Sequence, residues 1–262
     1  MLNRMDDSAR QLEQKSLNIS TKKAIMYLLC VPVTILFITL PTKNYLGGIL
    51  HLLFLISYGL TLGFKDIKGY IRKINSWKDT FYIGTKLLII SIVIIGIFLI
   101  GDNDPQGISK LEYSGEATML LLSKLPLIAV GEEFFKFFVF MGLLSLIRIP
   151  IRHRLVIVTM LSSFIFGYMH VINYKITAGL ILSLCDIPYC IFFIYYQSIL
   201  PLIIAHFIQD GLNFISHYKT YGNYLAQLIG FIIFFIPLIL VPMLYEITKS
   251  LQSIIVKLKS FI

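Results

Sequence analysis

Apolar runs of close to 20 residues alternate with short polar stretches along the whole chain. They fall roughly at 24–41, 46–63, 82–100, 119–147, 154–172, 176–197, 199–217 and 223–247. None carries the alternating apolar and polar positions of a barrel strand. A bilayer offers no partners to unpaired N–H and C=O groups, so spans of this kind must be helices. The pattern predicts an all-α fold, a polytopic membrane helix bundle of about eight transmembrane helices. The fourth run is long and contains Pro126. It reads as a short helix followed by a kink, or as a single tilted span.

The polar stretches set a topology. Sixteen Lys and Arg residues fall in the N-terminal tail, the loops around 65–78 and 148–154, and the C-terminal tail. The opposite loops hold four, Lys43, Lys110, Lys175 and Lys219. Basic residues gather on the cytoplasmic side, so both termini are expected inside a cell membrane. The stretch "DIKGYIRKINSWKDTFYI" places apolar residues at Ile67, Tyr70, Ile71, Ile74 and Trp77 with basic residues between them. It is expected to lie along the inner membrane face, as is the C-terminal "SLQSIIVKLKSFI". The polar N-terminus is not expected to act as a signal peptide.

Composition agrees. The chain of 262 residues is 57% hydrophobic and only 14% charged, against about 25% charged in a soluble domain. The net charge of +9 does not indicate nucleic acid, because the basic residues sit at the ends of apolar runs. Cys30, Cys185 and Cys190 all lie in apolar segments and read as small apolar residues rather than a disulfide framework.

Ionisable residues inside the spans are the chemical signal. A charge at a bilayer centre costs about 2.5–3.5 kcal/mol on insertion scales. Yet the fourth run carries Glu132, Glu133 and Lys136. Lys136 is spaced to meet either glutamate on a helix, so an internal ion pair is one reading; it leaves one carboxylate over. The fifth run ends in Phe166 and His170, four residues apart, and a lone histidine there also reads as a satisfied interface residue. In the seventh, His206, Asp210 and Asn213 form one polar stripe. Carboxylates and imidazoles on three spans suit general-base hydrolysis inside a membrane.

The order Glu132-Glu133, Phe166-x-x-x-His170 and His206-x-x-x-Asp210 resembles the CPBP family: the CAAX proteases and the bacteriocin-processing or self-immunity (Abi) proteins. Its motifs are EExxxR, FxxxH and Hxxx(N/D). The motif arginine would fall at Phe137; here the cation comes one residue earlier, as Lys136, matching the EExxK of a related group of membrane proteases. The resemblance implies a catalytic core over 115–217. Around it lie a cytoplasmic tail (1–23), N-terminal transmembrane helices with the amphipathic inner-face segment (24–114), and a last transmembrane helix with a cytoplasmic tail (218–262).

The resemblance also implies an intramembrane glutamic endopeptidase. Glu132 would activate water with help from His170. His206 and Asp210 would hold the oxyanion, and Glu133 with Lys136 would be a supporting pair, alongside Phe166 and Asn213. No cofactor is expected, and a His/His/Glu zinc site is the weaker alternative. Expected partners are a peptide or membrane-protein substrate and the lipid bilayer, with no nucleic acid. A bacterial peptide, such as a bacteriocin or a signalling peptide, is the favoured substrate. The rival reading is a non-catalytic membrane partner or self-immunity protein. Asp186 is a further intramembrane charge, able to pair with Lys136 or a histidine or to mark a partner contact.

Overall fold

A computed structural model describes residues 2–39, 45–62, 67–99, 115–172 and 174–216. These residues form helices and connecting turns, in keeping with the predicted helical bundle. In chain order the helices are α1 (Leu2–Leu17), α2 (Thr21–Leu28), α3 (Cys30–Thr39), α4 (Tyr45–Leu62), α5 (Trp77–Leu99), α6 (Gly115–Leu146), α7 (Ile151–Val171), α8 (Ile176–Tyr196) and α9 (Leu200–Ser216).

Seven of the eight expected spans correspond to these helices, with α2 and α3 sharing the first. The break at Leu29 has a local cause: Pro32 lies in the first turn of α3, where its missing N–H leaves the preceding turn unsupported. The expected span 223–247 and the C-terminal amphipathic segment lie outside the described residues.

Three helices are long and apolar enough to cross a membrane by length and composition: Trp77–Ile97, Ile151–Val171 and Ile176–Tyr196, each 21 residues. A bent pair, Asp7–Leu17 with Thr21–Phe37, is a fourth candidate. Val156, Met160, Phe164 and Tyr168 stand exposed on α7 at four-residue intervals, and Ile176, Leu180 and Leu184 do so on α8. Apolar faces left outward on long helices are lipid-facing surface. The protein is a multi-pass membrane protein.

The centre of the bundle is α6. It is one continuous helix through Pro126, 32 residues long, or about 48 Å at 1.5 Å per residue. That exceeds the ~30 Å hydrocarbon core, as a tilted span would. Phe134, Phe135, Phe137, Phe138, Val139, Phe140 and Met141 are all buried, so every side of this stretch is covered. A helix apolar all round belongs in a core. Phe138 packs on Tyr27 of α2 (ring centroids 4.8 Å apart) and Tyr58 of α4 (5.9 Å). Phe137 and Phe140 pack on Phe193 of α8, at 5.7 and 5.4 Å.

The hairpin of α7 and α8 is held by close backbone approach. A Cβ on Gly167 would stand 2.2 Å from the Gly179 carbonyl oxygen and 2.0 Å from Ser183 Oγ, so only glycine fits there.

Two segments depart from the simplest sequence reading. The N-terminal tail is a helix with a buried side, Ala9, Leu12 and Ser16. It packs against α6, α7 and α8. Ser8 Oγ donates to the Tyr195 carbonyl at 3.1 Å, and Lys15 Nζ donates to Gln197 Oε1 at 2.8 Å. Glu13 pairs with the buried guanidinium of Arg154.

The 67–76 stretch is not one continuous helix. It turns repeatedly, with Ile67 and Tyr70 buried. The Tyr70 carbonyl accepts from Ile199 N at 3.0 Å, and Lys15 Nζ sits 4.5 Å from the Tyr70 ring centre. Ile67 and Tyr70 thus face the protein interior, while Ile71 and Trp77 are exposed. Basic segments that the sequence assigns to one side (the N-terminal region, the 65–78 loop and the start of α7) thus meet at one end of the bundle.

Candidate active site

Glu132 and Glu133 are adjacent on α6 and so point about 100° apart. They have different surroundings. Glu133 is fully buried, whereas about a quarter of the Glu132 side chain is exposed. His206 of α9 lies between them. Its Nδ1 is 2.9 Å from Glu133 Oε1. Its Nε2 is 3.5 Å from Glu132 Oε2 and 3.4 Å from Asp210 Oδ2. Carboxylates accept, so Nδ1–H donates to Glu133, and Nε2 faces the other two carboxylates.

Lys136 lies one turn along α6. It pairs with Glu133 and, on its other side, with Asp186 Oδ1 of α8 at 3.3 Å. Two rings enclose it: the ammonium is 4.2 Å from the Tyr189 ring centre and 4.6 Å from that of Phe166. Asp186 is held in turn by Ser163 Oγ of α7, which donates at 3.0 Å to Oδ2, and by Cys190 Sγ at 3.5 Å. The groups form a buried line, Asp186–Lys136–Glu133–His206, that ends at Asp210 and Glu132. Lys136 stands between two carboxylates, which is how a buried charge is tolerated.

The displaced motif cation has a packing explanation. Position 137 faces Tyr70 and Phe193, with ring centroids at 5.1 and 5.7 Å, whereas position 136 faces the carboxylates. In this bundle a cation at 137 would enter an aromatic cluster.

His170 is set from within its own helix. Its Nδ1 donates to the Phe166 carbonyl at 2.9 Å, which leaves Nε2 without that proton in the neutral ring. The Phe166 ring lies edge-on to the imidazole at 4.7 Å. Phe166 therefore serves both Lys136 and His170.

Glu132, His170, His206, Asp210 and Asn213 line one cavity of about 170 Å³ between α6, α7, α8 and α9, together with Lys136 and Phe166. The structure brings all three sequence motifs to this cavity. Glu133 stands behind it, buried against Lys136 and His206.

Three contributors were not singled out as site residues from the sequence. Asp186 was visible only as an unassigned charge. Tyr189 gave no signal among the aromatics of α8. Gln209 lines the cavity and presents a buried side-chain oxygen with no hydrogen-bond partner among the described residues. It lies one residue before Asp210, in a polar cluster that could have drawn attention to it.

Residues 114–212 match a family model described as Type II CAAX prenyl endopeptidase Rce1-like. All the site residues on α6, α7, α8 and α9 up to Asp210 fall inside the matched segment. No curated protein and no solved structure matches the chain.

Proposed function

We propose, from the premise that this chain carries an Rce1-like domain of the CAAX-protease family over residues 114–212, that it is an intramembrane endopeptidase using glutamate-activated water. Family membership of that segment supports membrane-protease activity in general. The observation that carries the finer reading is the unequal setting of the two glutamates. Glu133 is committed to Lys136 and His206, while Glu132 stands about a quarter exposed on the wall of the cavity that also holds His170.

In this reading a water bound between Glu132 and His170 loses its proton to the carboxylate. The hydroxide adds to the scissile carbonyl, and the carbonyl π electrons move onto oxygen. His206 Nε2–H turns from Asp210 to donate to that oxyanion, while Glu133 on Nδ1 orients the ring. Collapse expels the amine, which takes the proton that Glu132 and His170 hold. Glu133 and Lys136 fix the charge balance behind His206. No metal enters the scheme. Zinc in stoichiometric amount in purified protein would favour the metal alternative.

The substrate is a peptide or protein at the membrane. The family description names a CAAX prenyl endopeptidase, and a bacterial signalling or bacteriocin-type peptide is our preferred class. Both termini are proposed to be cytoplasmic.

Comparing peptides released from membranes of wild-type and Glu132→Gln cells tests the reading. Glutamine keeps size and hydrogen bonding but cannot take the proton. Loss of processing by roughly 10²–10⁴-fold is expected, with comparable losses for His170→Ala and His206→Ala. Unchanged processing and phenotype in Glu132→Gln would favour the non-catalytic partner or immunity reading, which needs no base.

A further inference from the structure

A second cavity of about 210 Å³ lies on the far side of Glu132, between α3, α4, α6 and α7. It shares Glu132, Phe166, His170 and Tyr174 with the first, so the two meet at the reacting groups. Both linings mix polar and apolar groups, but different helices supply them. The first draws its further charged and amide groups from α8 and α9. The second sets Leu52 and Leu55 of α4, Phe135 of α6 and Met169 of α7 beside the shared groups, with one further polar pair. That pair is His51 Nε2 and Thr34 Oγ1, 3.3 Å apart, and the His51 ring stacks on Phe37 at 5.2 Å. His51 and Thr34 lie outside the matched family segment, and no sequence motif pointed to them.

The wall of this cavity is brought up to the site by a glycine. Gly131 immediately precedes Glu132. A Cβ there would stand 3.2 Å from Leu52 Cδ2 and 3.5 Å from the Leu52 carbonyl oxygen. The absent side chain lets α4 lie against α6 beside the carboxylate.

We propose that the second cavity is the pocket for one substrate side chain flanking the scissile bond, and that α4, through Leu55 and His51, sets which side chain it takes. An extended chain advances about 3.3–3.6 Å per residue and sends successive side chains to opposite sides. A strand with its scissile carbonyl beside Glu132 therefore delivers one flanking side chain to each cavity. The wall formed by Leu52, Leu55, Phe135 and Met169 favours a large aliphatic or aromatic side chain on the α4 side. The first cavity takes the residue across the bond.

This inference rests on the protease reading, and the experiment separates the two. Detergent-purified wild type, Glu132→Gln, Leu55→Phe and His51→Ala are each incubated with a mixture of proteome-derived peptides, and cleavage sites are read by mass spectrometry. Leu55→Phe narrows the pocket and should shift preference at one flanking position toward Gly, Ala and Ser by about tenfold. His51→Ala widens it and should shift the same position toward bulkier residues. The other flanking position should not change in either variant. The opposite directions make a shift distinguishable from general damage, and either variant that elutes as folded protein decides the matter. Cleavage with the wild-type profile in both would overturn the pocket and leave the protease intact. Absence of cleavage by wild type above Glu132→Gln would overturn the protease reading and the pocket with it.

Discussion

Lys136 is the residue on which the buried charges depend. It balances Glu133 on its own helix and Asp186 on α8. Replacing it with methionine keeps the length and removes the charge, leaving two carboxylates without their cation. Breaking a buried ion pair costs about 3–5 kcal/mol, so Lys136→Met should sharply lower the yield of folded protein in detergent. Lys136→Met combined with Asp186→Asn should recover part of that yield, because one orphaned charge is gone. Lys136→Arg should be tolerated better than methionine. Equal yields for Lys136→Met and wild type, by size-exclusion chromatography, would contradict the pairing. The glutamates, histidines and lysine were legible in the sequence because charge inside an apolar run is conspicuous. The partner of Lys136 was legible only as a question. Spacing along one helix constrains contacts on that helix, whereas Asp186 reaches it across a helix interface that no single-sequence period encodes.

At the scale of elements, the α7–α8 hairpin fixes the depth of His170. Gly167 lies three residues before it, and the two backbones touch there. Gly167→Ala forces the helices apart, and overpacking of this kind costs about 1–3 kcal/mol. A lower temperature of thermal inactivation in detergent is expected, with reduced activity, because the ring of His170 moves relative to Glu132. Gly96, where an added Cβ meets nothing within 4 Å, should accept alanine and serves as the control. The sequence located these helices to within a few residues, since long apolar runs report on lipid directly. It was least informative where polar and apolar residues mix. The segment around 67–76 has the spacing of an interfacial helix, yet Ile67 and Tyr70 are buried in the protein. Alternating chemistry says that one side is covered, not whether lipid or protein covers it.

For the whole molecule, the arrangement to be tested is which side of the membrane holds the end where α1, the 67–76 turns and the start of α7 meet. The basic residues there predict the cytoplasm. Reporter fusions after Arg148 and after Gln197 should both report a cytoplasmic position, and a fusion within the 101–114 loop an external one. A cytoplasmic signal from all three would break the topology. The N-terminal helix at that end sets the order of assembly. It is made well before its partner, since Ser8 bonds to Tyr195, 187 residues later. At roughly 5–20 residues per second, its docking surface is completed on the order of 10–40 s after the helix itself leaves the ribosome. During that interval α1 is a solvated amphipathic segment. Its docking is a late event, available only to a chain whose α8 has already been inserted.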